Sequence, residues 1–126
     1  MKQIPKRVMI VSFDAVGAKD LEYLQTLPNF QRFFEQAALC SHVNSVCPSL
    51  TYPAHTSIVT GRMPKNHGIV NNTKIQPGRK DPDWLYHRKW IRSTTLYDEA
   101  KKKGMTTAGL LLRQAAGWTT MCRRLW

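Results

Sequence analysis

Residues 7–13 (RVMIVSF) form a nearly unbroken apolar run that ends at Asp14. Such a run predicts a strand buried on both faces, as in a parallel sheet. Gly17 marks a turn, and residues 19–27 predict a first helix. Pro28 starts a second, because proline gives up an N–H that has no partner in the first helical turn. This second helix puts Phe30, Phe33, Phe34 and Ala37 on one face. Residues 39–46 read as a short strand or extended segment. Residues 51–61 (TYPAHTSIVTG) predict a third helix, with Thr51 near the N-cap, Pro53 in the first turn and Gly61 as the stop. Residues 62–92 are rich in turn signals: Met63-Pro64, His67-Gly68, Asn71-Asn72, Pro77-Gly78 and Asp81-Pro82-Asp83. Thr94 or Thr95 caps a last helix that runs to about Lys103. Its acids Asp98 and Glu99 stand early and its lysines 101–103 late, matching the helix dipole. Gly104 ends it, and residues 105–112 predict a second core strand. The order β-α-α-β-α-loop-α-β defines an α/β chain with a mostly parallel sheet.

Composition narrows this picture. The 126 residues make one domain or part of one, and 42% hydrophobic content is enough for a core. Nineteen Lys and Arg against eight Asp and Glu give a net charge of +11, which suits a polyanion, an anionic surface or a phosphate substrate. The three cysteines, 40, 47 and 122, are an odd number without CxxC spacing. They indicate no disulfide framework and point to a reducing, cytoplasmic setting. No segment is long and apolar enough to span a membrane, and the run at 7–13 is too short for a secretory core.

Three polar residues stand where chemistry could be done. Asp14 follows the first strand, at the end where open α/β sheets place their sites. Thr51 stands at a helix start, where backbone N–H groups and the dipole favour an anion. Asn72 follows the turn at 67–71. Metal-assisted phosphoryl transfer needs a hard oxygen ligand, an activated hydroxyl and a neutral donor for a phosphoryl oxygen. Singly, each residue is equally at home as a turn or cap residue.

Together the motifs are specific. The stretch VMIVSFD at 8–14, LPNF at 27–30, PSLTYPAHTSIVTG at 48–61 and HGIVNN at 67–72 resemble, in order, the type I phosphodiesterase/nucleotide pyrophosphatase family of the alkaline phosphatase superfamily. The resemblance runs from about residue 7 to residue 112. It implies the N-terminal portion of a doubly wound α/β sandwich that holds two divalent metals, usually zinc. By this resemblance Asp14 is a metal ligand, and Thr51 is both nucleophile and ligand. Asn72 steadies the phosphoryl oxygen, and Tyr52 stacks on the leaving nucleoside of a small phosphodiester or nucleotide substrate. The implied reaction passes through a phosphothreonine that water then hydrolyses. His55 and His67 read as structural, since the family's ligand histidines come later in the chain.

The resemblance weakens at the end. Residues 113–126 (RQAAGWTTMCRRLW) do not continue the family pattern. Gly117 to Cys122 is encoded by GGN TGG ACN ACN ATG TGY. Reading from the third base gives NTG GAC NAC NAT GTG, which permits the family-like Leu-Asp-Tyr-Asn-Val. We therefore read 1–112 as the N-terminal part of a phosphodiesterase catalytic domain and 113–126 as an out-of-frame tail. Removing Arg113, Arg123 and Arg124 from the net charge of +11 leaves +8 on residues 1–112. With most metal ligands absent, the chain is expected to be an inactive truncated form that self-associates through an uncovered apolar face. The alternative is a small basic module for RNA or another polyanion, resting on the charge and on the aromatics among bases at 84–90. The bland reading of that stretch, a loop packing its tryptophans inward, is preferred, so nucleic acid is not the expected partner.

Overall fold

The computed structural model describes residues 7–109. The chain divides into two compact units, Met1–Asn44 and Ser45–Trp126.

In the first unit residues 7–13 carry no strand, and Val8, Met9, Ile10, Val11 and Phe13 are all exposed. This corrects the expected buried strand. A strand exists only through a ladder of hydrogen bonds to a neighbour, and among the described residues no ladder includes this segment. The chain then turns at Ala15, whose φ of 60° is unusual for a residue with a Cβ. The Ala15 N–H donates to Asp14 Oδ1 at 3.0 Å. A 3-10 turn at Ala18–Asp20 leads into α1 (Leu21–Thr26), and Asp20 Oδ2 accepts from the Gly17 N–H at 2.7 Å. Leu27 is extended, as the residue before a proline prefers, and Pro28 opens α2 (Pro28–Phe34). Leu21, Leu24, Leu27, Phe30, Phe34 and Ala37 form a half-buried stripe along both helices. Phe30 stacks on Phe34 at 6.3 Å and meets Phe13 at 5.9 Å. Phe33, expected on the same face, is 67% exposed. No described residue of this unit is fully buried.

The second unit is built on α3 (Thr51–Thr60), which packs against α4 (Pro64–His67) and α5 (Leu96–Lys102). Its buried set is Pro53, Thr56, Pro64, His67, Ile69, Ile91 and Thr95. α3 ends as expected on Gly61, at φ 62°. α4 ends on Gly68 at φ 83°, where a Cβ would lie 2.9 Å from Arg92 Cδ. Glycine is needed there twice over, for its backbone and for the space. Residues 72–74 and 83–85 run antiparallel as a short ribbon. Its contacts are the Thr73–Trp84 bridge, Lys74 N–H to Asp83 O at 2.8 Å and Leu85 N–H to Asn72 O at 2.8 Å. After a 3-10 turn at Arg88–Trp90, Thr95, one of the two expected caps, closes α5 in a capping box with Asp98.

The parallel sheet expected from the pattern is not formed among the described residues, whose one β feature is this bridge. Residues 105–109 carry no strand, and 110–112 lie outside the described residues together with the whole 113–126 tail. Among the described residues no helix is long and apolar enough to cross a membrane.

Candidate active site

The start of α3 collects three of the four expected site residues. Leu50 has extended backbone angles and is the N-cap; Thr51 is the first helical residue. This shifts Thr51 by one position from the expected cap, and the Leu50 side chain makes no capping bond to the helix. A proline two residues on removes one N–H from the first turn, and Ala54 N–H closes the first bond to Leu50 O at 2.9 Å. The Tyr52 N–H is taken by Asn72 Oδ1 at 2.9 Å. That bond joins the helix start to a residue twenty positions later. It also fixes which way the Asn72 amide faces, since its oxygen is the accepting end and its Nδ2 the donor.

Asn72 is held at its backbone as well as its side chain. Its carbonyl accepts from Leu85, and its N–H donates to Asn71 Oδ1 at 2.9 Å. Next to the bridge, Trp84 meets the Tyr52 ring edge-on with centroids 5.7 Å apart. Burial, with Tyr86 nearby, raises the Tyr52 hydroxyl above its ordinary value, so it stays protonated. The ribbon therefore holds the donor and the aromatic in one piece.

His67 and His55 both make hydrogen bonds within the second unit. His67 is fully buried. Ile69 N–H donates to its Nδ1 at 3.1 Å, so that nitrogen is unprotonated. Ser57 Oγ donates to Pro53 O at 2.9 Å, which leaves the hydroxyl to accept from His67 Nε2–H at 2.9 Å. Burial lowers the His67 pKa and favours this neutral tautomer. His55 Nδ1 donates to Thr51 O at 2.8 Å, one turn back.

Asp14 belongs to the first unit, and Thr51, Tyr52 and Asn72 to the second. Among the described residues no three His, Cys, Asp or Glu come together as a metal cage. A two-metal site needs a larger donor set. Asp14 and Thr51 supply two oxygens of the right chemistry, and the described residues do not by themselves fit the metals.

Two features escaped sequence reasoning. Trp84 as the support of Tyr52 was signalled only by the alternating Trp84-x-Tyr86 pattern after the Asn-Asn turn. Arg88 looked like part of a basic surface, yet it binds Ile91 O, Ser93 O and Asp98 Oδ2 at 2.9, 3.1 and 2.7 Å. Burial pushes the Asp98 carboxyl up, but the hydrogen bonds from Arg88 and Thr95 outweigh it and hold it below the usual carboxylate value.

The chain matches the type I phosphodiesterase / nucleotide pyrophosphatase family over residues 8–122, and it belongs to that family. It is 37% identical over 89 residues to the bis(5'-adenosyl)-triphosphatase enpp4 of Mus musculus, a match covering 62% of this chain and 19% of the relative. The human bis(5'-adenosyl)-triphosphatase ENPP4 is 34% identical over 90 residues, covering 64% of this chain and 20% of the relative. The human ectonucleotide pyrophosphatase/phosphodiesterase family member 5 is 29% identical over 112 residues, covering 84% and 23%. The chain thus spans about one fifth of the length of these curated relatives. No solved structure matches it.

Proposed function

We propose that this chain carries the nucleophile-bearing part of a hydrolase for phosphodiester or pyrophosphate bonds in small nucleotide-like substrates. The observation that carries the proposal is the Asn72 Oδ1 to Tyr52 N–H bond at the start of the helix that Thr51 opens. It supports a division of labour. Thr51 Oγ attacks phosphorus as the P–O bond to the leaving group breaks, giving a phosphothreonine. Asn72 Nδ2 donates to a non-bridging oxygen as charge builds there. Tyr52 offers its ring to the nucleoside. Water then adds to the phosphorus and releases Thr51.

Metal dependence belongs to the proposal, with Asp14 and Thr51 as ligands to two divalent ions, zinc by resemblance. Because the described residues offer too few donors, the proposal is for a site completed by further ligands, and the chain alone is expected to hydrolyse at background. The doubly wound parallel sheet is proposed on the same terms. Residues 7–13 would be a strand of that sheet, and their exposed apolar side chains favour self-association.

A chimera tests this reading. Residues 8–112 replace the corresponding segment of the mouse bis(5'-adenosyl)-triphosphatase enpp4, and release of adenosine monophosphate from bis(5'-adenosyl) triphosphate is measured. The expected result is an active chimera that loses roughly a thousandfold or more in Thr51→Ala and about a hundredfold in Asn72→Ala. A folded chimera whose rate is unchanged by Thr51→Ala refutes the nucleophile.

A further inference from the structure

Asn72 is placed at the start of α3 by its backbone as much as by its amide, since its carbonyl accepts from the Leu85 N–H at 2.8 Å. That bond belongs to the ribbon of 72–74 and 83–85, whose bridge is Thr73–Trp84. Two short strands by themselves are barely stable in water. Their register also has to be set, because a slip of one residue turns every side chain to the opposite face. Here a slip would carry the Asn72 amide away from the Tyr52 N–H that it meets at 2.9 Å.

Packing within the connecting loop does not set this register. Residues 75 and 77–81 are exposed, and Ile75 is 86% exposed. Asp83 supplies what packing does not. Its N–H donates to Gln76 Oε1 at 2.7 Å, and its carbonyl accepts from the Lys74 N–H at 2.8 Å. Its Oδ2 accepts from Lys74 Nζ at 3.3 Å and Gln76 Nε2 at 3.2 Å, and its Oδ1 meets the Arg79 guanidinium at 2.8 Å. All of these contacts reach back into residues 74–79. Led by the Lys74 hydrogen bond, they outweigh burial and hold the carboxyl below its ordinary value. A single surface ion pair contributes little. This carboxylate instead joins two cations and an amide, and its own backbone is tied to the same loop. Lys74 meets Asp83 with both its N–H and its ammonium, so a shift of register breaks both bonds together.

We propose that Asp83 is a positioning residue: its clasp on residues 74–79 fixes the register of the ribbon and thereby holds the Asn72 amide at the start of α3. Asp83 touches no reacting atom. Its bearing on hydrolysis rests on the phosphodiesterase reading; its hold on the register does not.

Hydrogen exchange of the 126-residue chain, followed amide by amide, reads the register. Asp83→Ala is expected to speed exchange of the Leu85 and Tyr52 N–H groups about tenfold or more, while the Gly61 N–H, at the far end of α3, changes less than about twofold. Equal acceleration at all three overturns the proposal, as does none at Leu85 and Tyr52. The mouse chimera gives a second measurement. There Asp83→Ala lowers kcat about tenfold with KM within about twofold of the parent. Asp83→Asn keeps an acceptor without the charge and loses about threefold. With Asn72→Ala already in place, Asp83→Ala costs less than about twofold, because a residue acting through Asn72 has nothing left to position. The same tenfold loss in both backgrounds overturns the proposal. Faster exchange at Leu85 and Tyr52, with a chimera indifferent to Thr51→Ala, removes the phosphodiesterase reading alone. Thr51-dependent hydrolysis indifferent to Asp83→Ala removes the positioning role alone.

Discussion

The two units differ in how their apolar residues are used. The first holds the longest apolar run in the chain, yet Met9 is 87% exposed and Ile10 64%, and none of its described residues is buried. The second has one at 108–112, most of which lies outside the described residues. It buries Ile69 completely and Ile91 almost completely, together with His67, Thr56 and Thr95. Apolar content alone does not make a core. A strand has to borrow its hydrogen bonds and its cover from segments distant in sequence. A helix with caps and a glycine stop supplies its own, and can then bury whatever it meets. The second unit closes around α3 because its pieces are short, capped and near one another in sequence.

The sharpest test of this contrast pairs equal truncations. Ile69→Ala removes a fully buried side chain and is expected to cost about 2–5 kcal/mol in urea melts. Ile10→Ala, at an exposed position, is expected to fall within about 0.5 kcal/mol. Equal costs would mean that residues 7–13 are covered in solution, by pairing that the described residues do not contain.

Gly68 comes next. Its φ of 83° strains any other residue, and a Cβ there meets the Arg92 side chain at 2.9 Å. Gly68→Ala is expected to cost about 1–3 kcal/mol. Adding Arg92→Ala should recover only the steric share. Full recovery in the double variant would show that the backbone is free to leave this conformation.

The His67 relay is sensitive to acid in a defined direction. Its pKa is lowered in the folded state from an ordinary 6.5, because it is buried. The unfolded chain therefore takes up a proton first as pH falls. The stabilisation is fully present above about pH 6.5 and is lost as pH falls through the folded value. Protonation would also set an Nδ1–H against the Ile69 N–H, two donors face to face. Ser57→Ala leaves Nε2–H unsatisfied and is expected to cost about 1–3 kcal/mol at neutral pH. Melts at pH 7.5 and 5.5 check both effects; a stability that rises on acidification would refute the neutral tautomer.

Much of the second unit is legible in the sequence. Pro53 in the first turn, Gly61 as the stop, the turns of 62–92 and the Thr95–Asp98 box are local signals, and local backbone physics settles them. That Asn72 meets the start of α3 was legible only by resemblance, since no periodicity says that Asn72 bonds to the Tyr52 N–H. The strand at 7–13 was misjudged for the converse reason. Its pattern states what the segment would do with neighbours, and pattern alone cannot supply them. Arg88 was not legible because a charge among aromatics looks the same whether its fork faces water or three acceptors.

The smallest effect separates two acid-capped turns of similar geometry. Asp20 Oδ2 accepts from the Gly17 N–H at 2.7 Å, on an exposed turn of the first unit. Asp98 Oδ2 accepts from the Thr95 N–H at the same 2.7 Å, but it also holds Thr95 Oγ1 and Arg88. Thr95 is 1% exposed. Losing its hydroxyl therefore removes the cap of α5 and leaves a partly buried carboxylate short of one donor. Thr95→Ala is expected to cost about 1–2 kcal/mol. Asp20→Ala is expected to cost at most about 0.5 kcal/mol, because water replaces the carboxylate at an exposed turn. The same division should appear in pH melts. Asp98 is held below its ordinary value, so its contribution is complete above the unfolded carboxylate range and is lost as pH falls through the folded value. The Thr95→Ala chain should lose less on acidification than its parent. An equal loss in both would show that Arg88, and not the capping box, keeps Asp98 ionised.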